Sequence, residues 1–225
     1  VATASVIADP ESIEQLPLSR DWVSKVVNRT GCGGCVALSL TLAMDSPVHP
    51  SDIRLLGGLK HGYGEPEDAV SAAMVSLGLG DGSFRGFYNP TEEQLRDFMR
   101  SSSANRFLIS GTKLNKEGHS FIAVKEPKKI TYVSGHNKQF FFENAQEVGF
   151  PILVVSPLNG PRPLNQSATP ELDRETQDAF DAAEKSGPAA AELLHSSVNN
   201  WIWGAARAKP LPESDIARIR IAKDA

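Results

Sequence analysis

The order of hydrophobic patterns along the 225 residues predicts an α+β fold. Helical periodicity dominates residues 35–99, short runs rich in β-branched and aromatic side chains occupy residues 107–155, and alanine-rich amphipathic segments follow residue 171. Strands gathered between two groups of helices favour an antiparallel sheet over the alternating units of a parallel one. We therefore expect an N-terminal helical lobe packed on an antiparallel β-sheet, with a C-terminal helical extension.

Four helices are expected before the sheet. Apolar residues at helical spacing predict a short helix over 22–27. The run CVALSLTLAM at residues 35–44 is nearly all apolar or small, which is typical of a buried helix. An i, i+3, i+4, i+7 apolar stripe predicts a third helix over 65–77. Thr91 and Gln94 have the spacing of a capping box, which predicts that the fourth helix begins there.

The glycine-rich sequence LGLGDGSFRG at residues 77–86 is predicted to be a loop. It lacks the Lys-Ser/Thr of a P-loop and the strand–GxGxxG–helix context of a dinucleotide site, so we expect no phosphate binding there. After residue 103 the pattern changes to short strands, separated by Pro, Gly, Asn and Lys pairs. The KEPKK run at 125–129 is interpreted as a solvated hairpin turn. The predicted strands are 107–110, 120–124, 130–133, 140–142 and 152–155.

A proline-rich segment divides the chain. Residues 157–170 contain four prolines and are typical of an extended linker. We therefore predict a first domain over residues 1–156 and a helical extension over 171–225. The helices expected in the extension cover about 171–185, 188–208 and 214–222.

Composition excludes several classes of partner. A formal net charge of −4 at pH 7 argues against nucleic-acid binding. No apolar run approaches the roughly 20 residues of a membrane span, and no secretory signal follows Val1, which we interpret as a processed or designed terminus. Trp201 and Trp203 would anchor a protein partner if exposed, but we favour their docking the extension on the core.

The candidate nucleophile is Cys35. Two cysteines, Cys32 and Cys35, are too few for a disulfide framework or a four-cysteine zinc site. Cys35 follows a Gly-rich approach at the predicted start of a helix, where the dipole and unpaired N–H groups lower a thiol pKa. The same N–H groups can stabilise an oxyanion. The alternative is that Cys35 is a small buried residue with no chemical role.

A cysteine nucleophile needs an imidazole base, which a third polar group commonly orients. Of the five histidines, His119 stands where the strand 120–124 begins, so a rigid sheet could aim its ring at a facing helix. Glu143 and Asn144 end the strand 140–142, and either could hold the imidazole. Strand alternation puts these two on opposite faces, and which face meets His119 stays open.

These segments resemble a known family. NRTGCGGCVALS at 28–39 looks like the catalytic cysteine segment of papain-like proteases, with Cys35 as nucleophile. The pair FLISGTKLNKEGHSFIAV at 107–124 and QFFFEN at 139–144 is similar to the histidine strand and third-residue strand of YopT-type bacterial effector proteases. The resemblance implies a two-lobed papain-like fold, with the cysteine helix packed against a sheet that bears the histidine.

The resemblance also implies roles. His119 would be general base and then acid, and Asn144, or else Glu143, would orient it. Asn28 or Arg29 would serve the oxyanion, since Arg29 stands where the family has glutamine. The expected protein is a cysteine-dependent hydrolase of amide bonds that needs no cofactor or metal. A protease acting on a protein or peptide is the first choice. We expect a secreted bacterial effector or toxin acting in a target cell, and otherwise a cytoplasmic protein.

Other functions are kept open. Glutamine deamidation or cleavage of a cell-wall peptide could use the same Cys–His pair. CGGC is also a Cys-x-x-Cys, but a redox motif should follow a strand in a βαβ unit, and zinc would need two more ligands. A disulfide between Cys32 and Cys35 could still form on oxidation and block the nucleophile. A non-catalytic module that binds a partner through its helical tail is the remaining alternative.

Overall fold

The computed structural model describes residues 34–44, 53, 57, 59, 67–80, 83–114, 118–134, 141–158 and 173–207. Five α-helices, six strands and one 3₁₀ helix make up these parts of the chain. The helices are α1 (Cys35–Met44), α2 (Glu67–Ser76), α3 (Glu92–Ser101), α4 (Arg174–Ser186) and α5 (Pro188–Arg207). The strands are β1 (Arg85–Tyr88), β2 (Arg106–Thr112), β3 (Gly118–Lys125), β4 (Ile130–Val133), β5 (Phe141–Phe142) and β6 (Ile152–Pro157), and the 3₁₀ helix covers Ala145–Val148.

The six strands form one antiparallel sheet in the order β1-β6-β2-β3-β4-β5. Strands β2 to β5 follow each other along the chain, while β6 returns to lie between β1 and β2. The predicted α+β class is therefore confirmed. The turn between β3 and β4 is also a hairpin, as predicted, because Lys125 pairs with Ile130 and residues 127–129 are exposed.

Strand β1 corrects the prediction of a loop over residues 77–86. Arg85 and Gly86 begin this strand, which pairs with β6 along its whole length. Gly86 is closely packed, because a Cβ there would lie 3.2 Å from Val198 Cγ2 and 3.3 Å from Thr176 Cγ2. A glycine that makes room for a neighbouring helix weakens the local strand pattern, so the strand is defined by contacts distant in sequence.

The sheet has two covered faces, because successive side chains of a strand point to opposite sides. On the first, which we call the α1 face, Leu108, Ile122, Val133 and Val154 pack with residues of α1 and α2. On the second, the α3 face, Phe107, Ile109, Phe121, Tyr132 and Val155 pack with Leu95 and Met99 of α3. A helix on each side therefore buries one half of every central strand.

Helices α4 and α5 pack on the same sheet. Phe180, Leu194 and Val198 share a buried cluster with Ile152 of β6, and α4 lies along β1 while α5 contacts α2. The described part of the helical extension thus packs on the side of the sheet formed by β1 and β6. None of the described helices is long and apolar enough to cross a membrane.

Several predictions fall outside the described residues. They concern the helices at 22–27 and 214–222 and most of the proline-rich segment, of which only Pro157 and Leu158 are described. Trp201 and Trp203 belong to α5, and the docking of their side chains stays a prediction.

Candidate functional site

Cys35 is the first residue of α1, as the sequence predicts. Gly34 precedes it with φ 87°, in the left-handed region that favours glycine, and its carbonyl accepts the N–H of Leu38 at 2.9 Å. Gly34 thus starts the helix, and it turns the chain directly in front of the thiol.

Two polar contacts fix α1 on the sheet. At its middle, the Ser39 hydroxyl donates to the carbonyl oxygen of Ser120 on β3 at 2.9 Å. At its end, the guanidinium of Arg106 on β2 donates to the carbonyls of Leu42 and Ala43, at 3.2 and 2.7 Å. Arg106 is only 2% exposed, and its charge complements the negative end of the helix dipole. The middle and the C-terminal end of α1 are therefore held, and Cys35 lies against Ser120 near the start of β3.

The thiol of Cys35 is half-buried, and its pKa is higher than that of a free cysteine. Burial raises this pKa because it penalises the thiolate. Hydrogen bonds with Ser120 and with the backbone of Val36 act in the opposite direction but are outweighed. This corrects the expectation that the helix start lowers the thiol pKa, since desolvation is here the larger effect.

His119 is the second residue of β3, at the predicted start of the strand. Its ring stacks on Phe121 and on Phe150, with centroid separations of 6.1 Å in both cases. Its Nε2 lies 2.7 Å from the hydroxyl oxygen of Ser134. Because Phe121 and Phe150 belong to the cluster on the α3 face, the imidazole lies on that face.

The structure therefore does not bring the side chains of Cys35 and His119 together. Residue 120, not residue 119, faces α1: Ser120 contacts the thiol, and its hydroxyl oxygen lies 3.4 Å from that of Ser110. Neighbouring residues of a strand point to opposite faces, so the thiol and the imidazole lie on the two sides of β3.

Glu143 and Asn144 lie at the other end of the strands from His119. Phe142 pairs with Tyr132, which pairs with Ala123, so the chain after β5 continues towards the level of Lys125. Lys125 is roughly 20 Å from His119 along an extended strand. The structure thus places neither predicted third residue beside the imidazole.

Other contacts fix these two residues where they are. The carbonyl of Glu143 accepts from Arg96 Nη2 at 2.8 Å, and Asn144 donates its side-chain amide to Glu147 at 3.3 Å. Glu92 of α3 adds a further tie, because its carboxylate accepts from the Tyr132 hydroxyl at 2.8 Å and from the Ala145 N–H at 2.9 Å. Burial and the neighbouring Glu92 raise the pKa of Tyr132, which keeps the phenol protonated as a donor.

Ser134 is the partner of His119 that the sequence interpretation missed. The hairpin register supplies the signal: Ile122 pairs with Val133, so the next pair is Phe121 opposite Ser134. Ser134 therefore lies within two residues of the level of His119, whereas Phe141 and Phe142 of β5 pair further along β4. Counting back from the KEPKK turn would have found Ser134.

The proposed oxyanion residues Asn28 and Arg29, and also Cys32, lie outside the described residues. Within the parts that the structure describes, no group of three or more His, Cys, Asp or Glu residues could hold a metal ion. The site as described thus has a half-buried thiol at a helix start on one face of β3. On the other face of β3 lies an imidazole that is hydrogen-bonded to a serine.

No protein-family model matches the chain, and no curated protein or solved structure is significantly similar to it. The resemblance to papain-like and YopT-type proteases therefore stays a prediction.

Proposed function

We propose that the protein is a cysteine-dependent hydrolase of amide bonds, most similar in its site to papain-like proteases. One observation carries the proposal: Cys35 opens α1 and contacts Ser120 of β3, the residue that follows His119 in the chain. A thiol at a helix start, packed on a strand that opens with Gly-His, is the arrangement of elements that the family resemblance implies. Protein or peptide cleavage is the first reaction to test.

In this reaction the Cys35 thiol gives its proton to His119 while Sγ bonds to the carbonyl carbon. The N–H groups at the start of α1 stabilise the oxyanion. The C–N bond then breaks, the amine leaves with the proton from His119, and water hydrolyses the thioester to restore the thiol. Glutamine deamidation and cleavage of cell-wall peptides follow the same steps with a different amide.

The proposal requires a change at the beginning of β3. The imidazole has to leave Ser134 and move to the α1 face, where the thiol lies. Gly118, the residue before His119, is exposed, and the nearest atom to a Cβ there would be the Gly111 oxygen at 3.5 Å. In the catalytically competent state, the backbone of residues 118 and 119 is therefore rotated so that the imidazole lies on the α1 face.

A second candidate, a non-catalytic binding module, is favoured by two specific observations. The pKa of Cys35 is raised, and the His119 ring lies on the opposite face of the sheet. Both features are expected if the fold is kept for binding while its nucleophile is a packed core residue.

Mass spectrometry of candidate protein substrates distinguishes the two functions. We expect the native chain to cut a peptide bond, or to convert a side-chain amide to an acid, and expect Cys35→Ala and His119→Gln to do neither. Cys32→Ala and His195→Gln are matched controls that should retain activity, since His195 is an exposed residue of α5. Full activity of Cys35→Ala would exclude the hydrolase.

The resemblance also supports a proposed location, a bacterial effector secreted into a target cell. Expression of the native chain in that cell should be toxic, and Cys35→Ala should remove the toxicity while the fold, checked by circular dichroism, is unchanged. Equal toxicity of both chains would favour the binding module.

A further inference from the structure

A cleft of about 460 Å³ lies between the edge strand β1 and the helices α3 and α4. Its volume is within the range of pockets that hold small ligands or a few side chains. Phe87, Phe98 and Pro90 give it an apolar surface, while Gln94 and Asp97 of α3 and Asp178 of α4 form its polar rim.

The cationic side chain in this lining is already engaged. Arg85 Nε lies 3.1 Å from Asp173 Oδ2, and its Nη2 lies 3.5 Å from Glu175 Oε2. The guanidinium also stacks 4.5 Å from the centre of the Phe98 ring. Arg85 is thus held against the wall, with its charge balanced by two carboxylates.

The rim carries carboxylates that are exposed and weakly paired. Asp97 is 67% exposed and has a 3.8 Å contact with Arg100, which is itself exposed. Asp178 is exposed and makes none of the ion pairs recorded among the described residues. With Glu175, the lining contains three carboxylates and one guanidinium, so it has an excess of negative charge.

Helix α4 occupies the outer side of β1 beside the cleft. The Gly86 N–H donates to Thr176 Oγ1 at 3.1 Å, so the backbone of Gly86 points away from β6. Tyr88 lies two residues further on and lines the cleft, so its backbone groups point the same way. Because α4 already uses this edge, the cleft offers a partner its side chains and not an open strand edge.

From these features we propose that the cleft binds a cationic peptide segment of a partner protein. Arginine and lysine fit both parts of the surface, because their aliphatic stems cover apolar rings and their charged ends meet carboxylates. Cys35 lies against β3, and two strands separate β3 from β1. The peptide site is therefore distinct from the thiol, and it needs no catalysis.

Fluorescence anisotropy of a labelled peptide of alternating arginine and leucine tests the proposal. At roughly 150 mM salt, where distant charges are screened, we expect saturable binding to the full chain. The double variant Asp97→Asn/Asp178→Asn should bind about three- to tenfold more weakly, as expected for two exposed ion pairs. Ala182→Trp, which fills the cleft from an exposed position of α4, should weaken binding without removing a charge.

The matched controls are Glu184→Gln/Glu192→Gln and Ala189→Trp, which alter exposed residues outside the cleft and should leave binding unchanged. If the control double variant weakened binding as much as Asp97→Asn/Asp178→Asn, the effect would come from the overall charge of the protein, and the proposed site would be wrong. So would absent binding, or equal binding of a glutamate–leucine peptide. If spermine displaced the peptide with an affinity equal to that of the peptide itself, the cleft would bind a small polycation, and its assignment to a peptide would be wrong. Cys35→Ala should bind normally, so failure here and failure of the hydrolase remain distinguishable.

Discussion

At the scale of single residues, the environment of Cys35 decides its chemistry. The helix start and the hydrogen bonds with Ser120 favour the thiolate, but burial opposes it more strongly and raises the pKa. Position at a helix N-terminus is therefore not enough to identify an activated cysteine. Access of water to the sulfur matters at least as much.

We predict slow alkylation of Cys35 in a Cys32→Ala chain, where it is the only thiol. Because its pKa is raised above the ordinary value of about 8.5, iodoacetamide should react more slowly at pH 7 than with an unfolded cysteine peptide. The same shift stabilises the fold below the unfolded pKa, and this stabilisation is lost as pH rises through the folded pKa. Intact-mass kinetics against pH measure the rate, and faster reaction than the peptide would contradict the prediction.

Gly111 is a second residue whose environment leads to a prediction. A Cβ at this position would lie 2.7 Å from Phe150 Cγ, so Gly111→Ala has to displace the ring that stacks on His119. We expect a loss of about 1–3 kcal/mol in the free energy of unfolding, as for other overpacked sites. Urea denaturation measures it, and the His119 ring resonances should shift. Gly118→Ala is the control, and equal stability of the two variants would be inconsistent with this packing.

At the scale of elements, α1 depends on a buried cation at its C-terminus. Arg106→Met removes the donor to the carbonyls of Leu42 and Ala43, and we expect the free energy of unfolding to fall by about 1–3 kcal/mol. Arg100→Met, an exposed change on α3, should cost little. Chemical denaturation compares the two, and amide exchange in α1 should accelerate selectively in Arg106→Met. Unchanged exchange would show that Arg106 does not hold the helix.

Elements with local signals could be predicted, and the capping box shows why. Thr91 Oγ1 accepts from the Gln94 N–H at 3.2 Å, and Gln94 Oε1 accepts from the Thr91 N–H at 2.8 Å, as the spacing indicates. Both partners lie within one turn, so no tertiary information is needed. The β3–β4 hairpin is local in the same sense.

The site could be predicted less well, because its geometry depends on distant contacts. The sequence places Cys35 at a helix start and His119 at a strand start, and both positions are observed. The face that His119 occupies is set by which half of β3 packs on α1, and Ser120 takes that side. A shift of one residue in a strand exchanges its two faces, and periodicity alone does not determine that choice.

At the scale of the whole molecule, the helical extension is part of the body that carries the site. Phe180 is buried in the cluster that joins α4 and α5 to Ile152 of β6, and α4 covers β1. Two helices that follow a proline-rich segment thus complete the packing of strands that precede it. Separate folding of the extension is not expected from this arrangement.

We therefore predict that the chain unfolds in one cooperative transition. Phe180→Ala should lower the free energy of unfolding by about 3–5 kcal/mol, because it leaves a cavity between α4, α5 and β6. Since the cluster includes the sheet, amide exchange of β6 and β1 should accelerate together with that of α4. Urea denaturation followed by circular dichroism and by tryptophan fluorescence should give coincident curves for the native chain and for Phe180→Ala.

The control is Ala182→Ser, an exposed change on the same helix, which should leave the free energy of unfolding within about 0.5 kcal/mol of the native value. Two separated transitions, with only the weaker one moved by Phe180→Ala, would mean that the extension folds as an independent unit.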